Sequence, residues 1–330
     1  MISSFQLKFG RSPGAPGEAI AATPVTVFVG PNNSGKSRVL REIERYCRAG
    51  QKDANDLLLA ELTFSGLTSE RAAQSIERIR QPPNPGEAQN VDHIFVGSKY
   101  GRQQVPVASL KQFVAAPTSN VPAFCQWYLT HLTLMLDGSS RIGLVGQQGA
   151  GDLQRPPQSS FQVLFRDDTK RHEVRRIVFD AFGRHFVLDP TNLGKLRIRL
   201  SDRAPRDDME ERGIHADAVR FHASAQVIDE ASDGVKAFTG IVTEIMAGDP
   251  SVVLVDEPEA FLHPSLASKL AQEVARAALS ADKRVFASTH SPQFVMGCIQ
   301  SGAPVNIIRL TYRGGVATAR ILPSDEILEL

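Results

Sequence analysis

The chain has 330 residues and a formal net charge of +1; that excludes binding of polyanions through overall charge, though not through a local basic groove. Hydrophobic residues at 42% and charged residues at 22% exclude disorder as the default state. The dispersed Cys47, Cys125 and Cys298 exclude a disulfide framework or zinc knuckle, and with neither a signal-peptide core nor a membrane-length apolar run the expected location is cytoplasmic, with no membrane partner.

Residues 3–9 (SSFQLKF) alternate in polarity and predict a strand. After the Gly/Pro-rich RSPGAPGEA, residues 24–29 (PVTVFV) are β-branched and continuously apolar, which predicts a central strand buried on both faces. It runs into GPNNSGKS and then a helical stretch closed by Gly50. Residues 54–79 predict a helical surface arm, and QPPNPGEAQN at 81–90 predicts a break. From 91 to about 200, short strands (HIFVG, RIGLVG, FQVLF, HFVLD, KLRIRL) alternate with helical stretches at 122–136 and 170–182. Beyond the charged RAPRDDMEERG come a helix at 235–247, a strand at 252–255 and a helix at 265–280 with Leu266, Leu270, Val274 and Leu279 on one stripe. A strand at 284–287, a helix at 292–300 and two strands (VNIIRLTYR, GVATARIL) follow. Such alternation implies an α/β fold, a mixed and largely parallel sheet flanked by helices. The expected organisation is a core of 1–50 and 220–330 with an α+β insertion or arm at 51–219. Prolines scattered through that middle segment exclude long coiled-coil arms.

The segment from Gly30 to Ser37 matches GxxxxGK[ST], placed after an apolar strand and before a helix. Gly30 and Gly35 let the backbone curl so that successive N–H groups face a phosphate, with the helix N-terminus behind them. Lys36 offers a compact positive charge to the β- and γ-phosphates of ATP, and Ser37 a hydroxyl to Mg²⁺. Asn32, Asn33, Ser34 and Arg38 are expected to complete the nucleotide-binding set.

Ser251–Glu257 (SVVLVDE) ends a second apolar strand in two carboxylates, at the edge where parallel sheets bind ligands. Asp256 is expected to hold Mg²⁺ through water, and Glu257 to polarise the water that attacks the γ-phosphate. The next strand leads into Ser288-Thr-His290-Ser-Pro, where an imidazole can contact a γ-phosphate oxygen and report its presence. Upstream, Glu230-Ala-Ser232-Asp-Gly234-Val-Lys236 opens a helix. Ser232 and Gly234 there fit either an anion site for the γ-phosphate of a second copy or a plain helix cap.

These four motifs in order, with DEPEAFLHP after the second strand, resemble ABC-type P-loop ATPases of the overcoming-lysogenization-defect (OLD) and related AAA-like bacterial families. The resemblance covers roughly 1–50 and 220–330. It implies homodimers or higher oligomers that sandwich ATP between one subunit's P-loop and the other's signature turn. Asp233 and Lys236 depart from the LSGGQ signature of transporters, and Glu259, Leu262, His263 and Pro264 replace their SALD-type continuation. The family's glutamine that couples Mg²⁺ to the insertion has candidates in Gln147 and Gln148, which fit ordinary loop residues equally well; Gln148 is taken as the metal-site candidate.

OLD proteins carry a Toprim nuclease domain after the ATPase, and no such segment follows His290 here. Asp167-Asp168-Thr-Lys170 has a DxK-like spacing but stands where a polar turn belongs, so nuclease activity is not expected from this chain alone. Lys170, Arg171, Arg175 and Arg176 on one helix, and Lys195, Arg197 and Arg199 along one strand, could track a nucleic-acid backbone or form a solvated face. The expected function is an ATP-hydrolysing switch that controls a separately encoded effector or acts on nucleic acid, with antiphage defence as one setting. Alternatives are a DNA-stimulated repair or chromosome ATPase, a transporter energy subunit, and a nucleotide binder without hydrolysis.

Overall fold

Val252–Asp256 is buried along its whole length, as a strand must be when both faces of its sheet are covered. The computed structural model describes residues 1–98, 101–138, 141–248, 250–280 and 283–322. Its largest sheet has six strands in the order Val316–Ile321, Val305–Arg313, Val25–Val29, Arg284–Ser288, Val252–Asp256, Thr133–Leu136. All neighbours pair parallel except the terminal hairpin of Val305–Arg313 with Val316–Ile321. The fold is therefore mixed α/β with a largely parallel sheet.

Alternation along each strand sorts the apolar side chains between two cores. Val25, Val27, Val253, Val255, Val285 and Ala287 face one, together with Phe238 and Ile241 of the helix Asp233–Gly248 and Leu270 and Val274 of the helix Pro264–Ser280. Phe28, Val252, Leu254 and Phe286 face the other, against Val39, Leu40 and Ile43 of the helix Lys36–Ala49. Into this second core Ile2–Leu7 brings Phe5, whose ring lies edge-on to Phe28 and Phe286 at 6.2 and 5.7 Å. Along Pro264–Ser280 the buried stripe runs through Ala267, Leu270, Ala271, Val274, Ala275 and Ala278, while Leu279 is exposed. Small residues there allow close packing on the sheet and on Pro292–Gln300, where Gly297 abuts the Ser268 carbonyl.

Several expected elements differ. Residues 54–79 are not a helical arm: Leu59–Phe64 is a strand antiparallel to Ile2–Leu7, and only Ser69–Glu77 is helical. RIGLVG forms a 3-10 turn over Ile142–Val145, and FQVLF lies in the helix Ser160–Arg166. Both runs are short and apolar, which periodicity alone does not resolve between helix and strand. The stretch 122–136 divides into a helix, Val121–Trp127, and the strand Thr133–Leu136. That strand is the edge of the main sheet, paired with Val252–Val255. The segment 51–219 thus supplies Leu59–Phe64 and Thr133–Leu136 to two sheets shared with the flanking segments. It also holds the meander Arg80–Gln81, His93–Ser98, Gly101–Pro106 and most of a small sheet built on His185–Asn192 and Lys195–Ser201. No helix among the described residues is long and apolar enough to cross a membrane.

Glu42 ties the first of these strands to the P-loop helix. Its carboxylate is fully buried and accepts the backbone N–H groups of Leu57, Leu58 and Leu59 at 2.7 to 2.9 Å, plus Arg38 Nε at 3.0 Å. Removing it leaves three backbone donors without an acceptor in the interior. Glu42→Ala is expected to lower stability by about 3 kcal/mol, read as a shift of the urea midpoint. An unchanged midpoint would show that the loop repacks without the carboxylate.

Candidate nucleotide-binding site

The parallel register brings the sequence-predicted groups to one edge. Ser288 pairs with Phe28 on one side and Asp256 on the other, so the chain leaves all three strands at the same level. Gly30, Glu257 and His290 follow directly, at the carboxyl ends where open parallel sheets bind ligands.

After Val29 the loop turns through Gly30 (φ 147°), Asn33 (φ 63°) and Gly35 (φ 95°), the last of which caps the helix Lys36–Ala49. A side chain at Gly30 would come within 2.2 Å of the Leu310 carbonyl oxygen, so both space and backbone conformation demand glycine. Lys36 is buried, and its ammonium spans the loop, donating to the Gly30 and Pro31 carbonyls at 2.9 Å each. The Ser34 hydroxyl is buried without a partner among the described residues, while Asn32 and Asn33 are exposed. Ser37 is half-buried in the first turn. The Arg38 side chain joins Glu42 and the Asn55 carbonyl.

Asp256 is buried and accepts a hydrogen bond from the Ser288 hydroxyl. Glu257 has left-handed backbone (φ 49°), a strained conformation for a residue with a side chain, and its amide donates to the Ser288 carbonyl at 2.9 Å. Its carboxylate is 44% exposed and lies 3.5 Å from His290 Nδ1. Glu259, almost buried, accepts the His290 backbone N–H at 3.1 Å and faces the same ring nitrogen at 3.3 Å. The imidazole is thus held by its own backbone and two carboxylates, with 58% of the side chain open to solvent.

The Ser232 turn caps the helix Asp233–Gly248: the Ser232 carbonyl accepts the Lys236 N–H at 3.1 Å, and its hydroxyl is 3.5 Å from the Val235 nitrogen. Ser232 and Asp233 are exposed. A side chain on Gly234 would meet the Phe261 carbonyl oxygen at 2.6 Å. The turn is therefore packed beside the segment that follows Glu257. Phe261 itself is left-handed (φ 69°) and 56% exposed on this surface.

Other expectations resolve differently. Gln148 is not brought to the site; it sits on a two-residue strand beside Lys195–Leu196, its side-chain carbonyl 3.4 Å from the Phe161 nitrogen. Gln147 faces Asn192. The strand beside Val252–Asp256 leads instead to Asp137, and then to Arg141. Asp167 caps the helix Asp168–Phe182, Asp168 pairs with Arg171, and Lys170 reaches the Ala247 carbonyl, so the DxK-like run is a helix start. The arginines of the basic runs are occupied too. Arg171 is fully buried on Glu211, Asp168 and Asp208, and Arg175 joins Glu211. Arg176 joins Glu173, Asp180 and Glu273, while Arg197 and Arg199 share the buried Asp189. Neither run presents a free basic row to a nucleic-acid backbone.

Three groups were missed by motif reading. Ser288 lies inside the quoted STHSP stretch, but its bond to Asp256 follows only from strand register. Glu259 served as a family marker, and its grip on His290 was not visible. Arg141 had no signal at all. It is completely buried and donates through Nη1 to the Glu257 carbonyl at 2.5 Å and through Nη2 to the Asp256 carbonyl. Burial pushes its pKa down against the pull of nearby Glu259, Asp256, Glu257 and Asp137, yet a guanidinium stays charged at any physiological pH.

The donor set fits a Mg²⁺-nucleotide. Curled backbone, a central ammonium and the orphaned Ser34 hydroxyl suit phosphate oxygens, and Ser37 with Asp256 suits a hard cation that keeps water and phosphate ligands. No group of three or more His, Cys, Asp or Glu side chains that could hold a metal occurs among the described residues.

Comparison with known proteins agrees on the fold. Residues 153–296 match the family model described as "AAA domain, putative AbiEii toxin, Type IV TA system". The match takes in Asp256, Glu257, His290 and the Ser232 turn, but spans less than half of the chain and excludes the P-loop. No curated protein gives a match. The chain is similar to an SMC head solved with the C-winged helix domain of ScpA, at 14% identity and a TM-score of 0.53 over 100% of this chain and 99% of that one. It is also similar to the SMC head with an extended coiled coil bound to the C-terminal domain of ScpA from Pyrococcus furiosus, at 12% identity and 0.52 over 99% and 98%. The P-loop ATPase fold of SMC heads is shared along the whole chain.

Proposed function

We propose that this protein is an ATP-hydrolysing molecular switch in which two copies close around Mg²⁺-ATP and thereby control a separate effector protein. The observation that supports this reading is that the three adjacent parallel strands leading to Gly30 of the P-loop, to Asp256–Glu257 and to His290 end at one level. Bound Mg²⁺ would neutralise charge on the β- and γ-phosphates. Lys36 exchanges its two carbonyl partners for phosphate oxygens, while Ser37 and Asp256 are the residues placed to hold the metal. Glu257, half-exposed at the site mouth, takes a proton from the attacking water, and His290 donates to the γ-phosphate from beside it.

The P-loop faces solvent at Pro31, Asn32 and Asn33, so one chain leaves the γ-phosphate side open. The exposed Ser232 turn, beside Gly234 and Phe261, offers a hydroxyl and a helix N-terminus that a second copy can bring over it. The sequence after Glu257 supports an OLD-like relationship. The matched family's description as a putative toxin of a toxin–antitoxin system supports an output that involves a partner protein, with antiphage defence as the setting we propose. A DNA-stimulated ATPase is disfavoured because the candidate basic rows are spent on internal carboxylates.

If two copies build each site, phosphate release per molecule rises with protein concentration before reaching a plateau. Ser232→Arg, which fills the exposed turn, is expected to cut the plateau rate at least tenfold while leaving ATP binding to the single chain intact. A rate independent of concentration and indifferent to Ser232→Arg would remove the paired site.

A further inference from the structure

Arg141 is buried, has no carboxylate in hydrogen-bond contact among the described residues, and spends its charge on two backbone oxygens of the Asp256–Glu257 turn. Its Nε is also buried and has no partner among the described residues. A guanidinium taken out of water and satisfied only in part is a poor device for stability alone. What it does hold is specific. Two donors on successive carbonyls fix the peptide planes on either side of the Glu257 α-carbon, and that residue has the left-handed backbone. The Glu257 carbonyl also accepts the Ala260 N–H at 3.0 Å, so Arg141 and the turn share one acceptor.

The other face of Arg141 meets the helix that begins at the Ser232 turn. Arg141 leads into the 3-10 turn Ile142–Val145, which is packed on Asp233–Gly248 at Gly240. A side chain at Gly240 would stand 2.8 Å from Leu144 Cβ and 3.3 Å from the Arg141 carbonyl oxygen. The turn is therefore wedged between that helix and the backbone of Glu257.

We propose that Arg141 is a positioning residue for hydrolysis: it holds the Asp256–Glu257 backbone so that the Glu257 carboxylate meets the attacking water, and it joins that backbone to the helix bearing Ser232 and Gly234. Its donors lie on carbonyl oxygens, so it acts through Glu257 and not on phosphate. The proposal rests on the ATPase reading for its kinetic consequence but not for its structural one.

The test compares wild type with Arg141→Lys, which keeps the charge but cannot span both carbonyls. Hydrogen exchange of the Glu257 and Ala260 amides is expected to accelerate at least tenfold in the variant. Affinity for a fluorescent ATP analogue with Mg²⁺, and KM, are expected to stay within about threefold, while kcat falls about a hundredfold. Unchanged exchange, or a wild-type kcat, overturns the proposal. So does a joint loss of nucleotide affinity and thermal midpoint, which marks a residue needed only for folding. Should Arg141→Lys fail to fold, Gly240→Ala keeps every Arg141 donor and displaces the wedge from its other side, with the same selective fall in kcat expected and a wild-type kcat overturning the coupling. Absence of hydrolysis by the wild type would sink the ATPase reading, whereas the exchange comparison still decides whether Arg141 holds the turn.

Discussion

Lys36→Ala is expected to abolish multiple-turnover ATP hydrolysis, with at least a thousandfold fall in kcat/KM, and to weaken nucleotide binding roughly a hundredfold. The ammonium is buried at the centre of the loop and already bridges two carbonyl oxygens 2.9 Å away, so phosphate oxygens replace these partners without the side chain having to be ordered anew. Each hydrogen bond to a charged group contributes about 1.5–3 kcal/mol, and two such bonds to phosphate account for the loss of affinity. The further loss in rate reflects charge that grows on the phosphoryl oxygens in the transition state. Stability should change little, because the two carbonyls released are at the rim of an exposed loop. Phosphate-release kinetics with equilibrium nucleotide titration measure both effects. Hydrolysis by Lys36→Ala within tenfold of wild type would mean that the loop is not where ATP reacts.

Glu257→Gln is expected to separate binding from chemistry. The amide has nearly the shape of the carboxylate but cannot accept the proton of water, and general-base catalysis is worth about 10² to 10⁴ in rate. Turnover should therefore drop about a thousandfold, while ATP affinity is retained or increased. Since the Glu257 carboxylate is half-exposed and lies 3.5 Å from the exposed His290, the substitution removes no buried ion pair. The ATP-loaded variant should accumulate as a stable pair of chains, visible as a doubling of mass by light scattering with Mg²⁺-ATP and absent with ADP. A variant that remains a single chain in ATP while failing to hydrolyse it would separate hydrolysis from association and leave the switch without its mechanical step. The same trapped form is the one from which to isolate the effector.

Much of the phosphate-binding edge could be read directly. A glycine-bounded loop between an apolar strand and a helix, and an Asp-Glu pair closing a second apolar strand, are local patterns whose meaning depends on few distant contacts. Helices with a long apolar stripe, such as Pro264–Ser280, were equally legible in extent. Its Leu279 was misassigned to the buried face because the stripe drifts round the helix over four turns, and only packing on Pro292–Gln300 says where it ends. Short apolar runs failed where periodicity has too few residues to act on: RIGLVG and FQVLF read as strands and are helical turns.

By itself, the sequence determined the P-loop, the acidic pair, the histidine after the next strand and the α/β alternation, since each is written in contiguous residues with a local conformational requirement. Tertiary structure alone decided that Thr133–Leu136 flanks Val252–Asp256, that Gln148 stands away from the site, that the arginine rows are neutralised, and that Arg141 reaches Glu257 across 116 positions. These are pairings between segments far apart in the chain. Strand register and the need to satisfy buried charge choose them, and neither leaves a mark within any one segment.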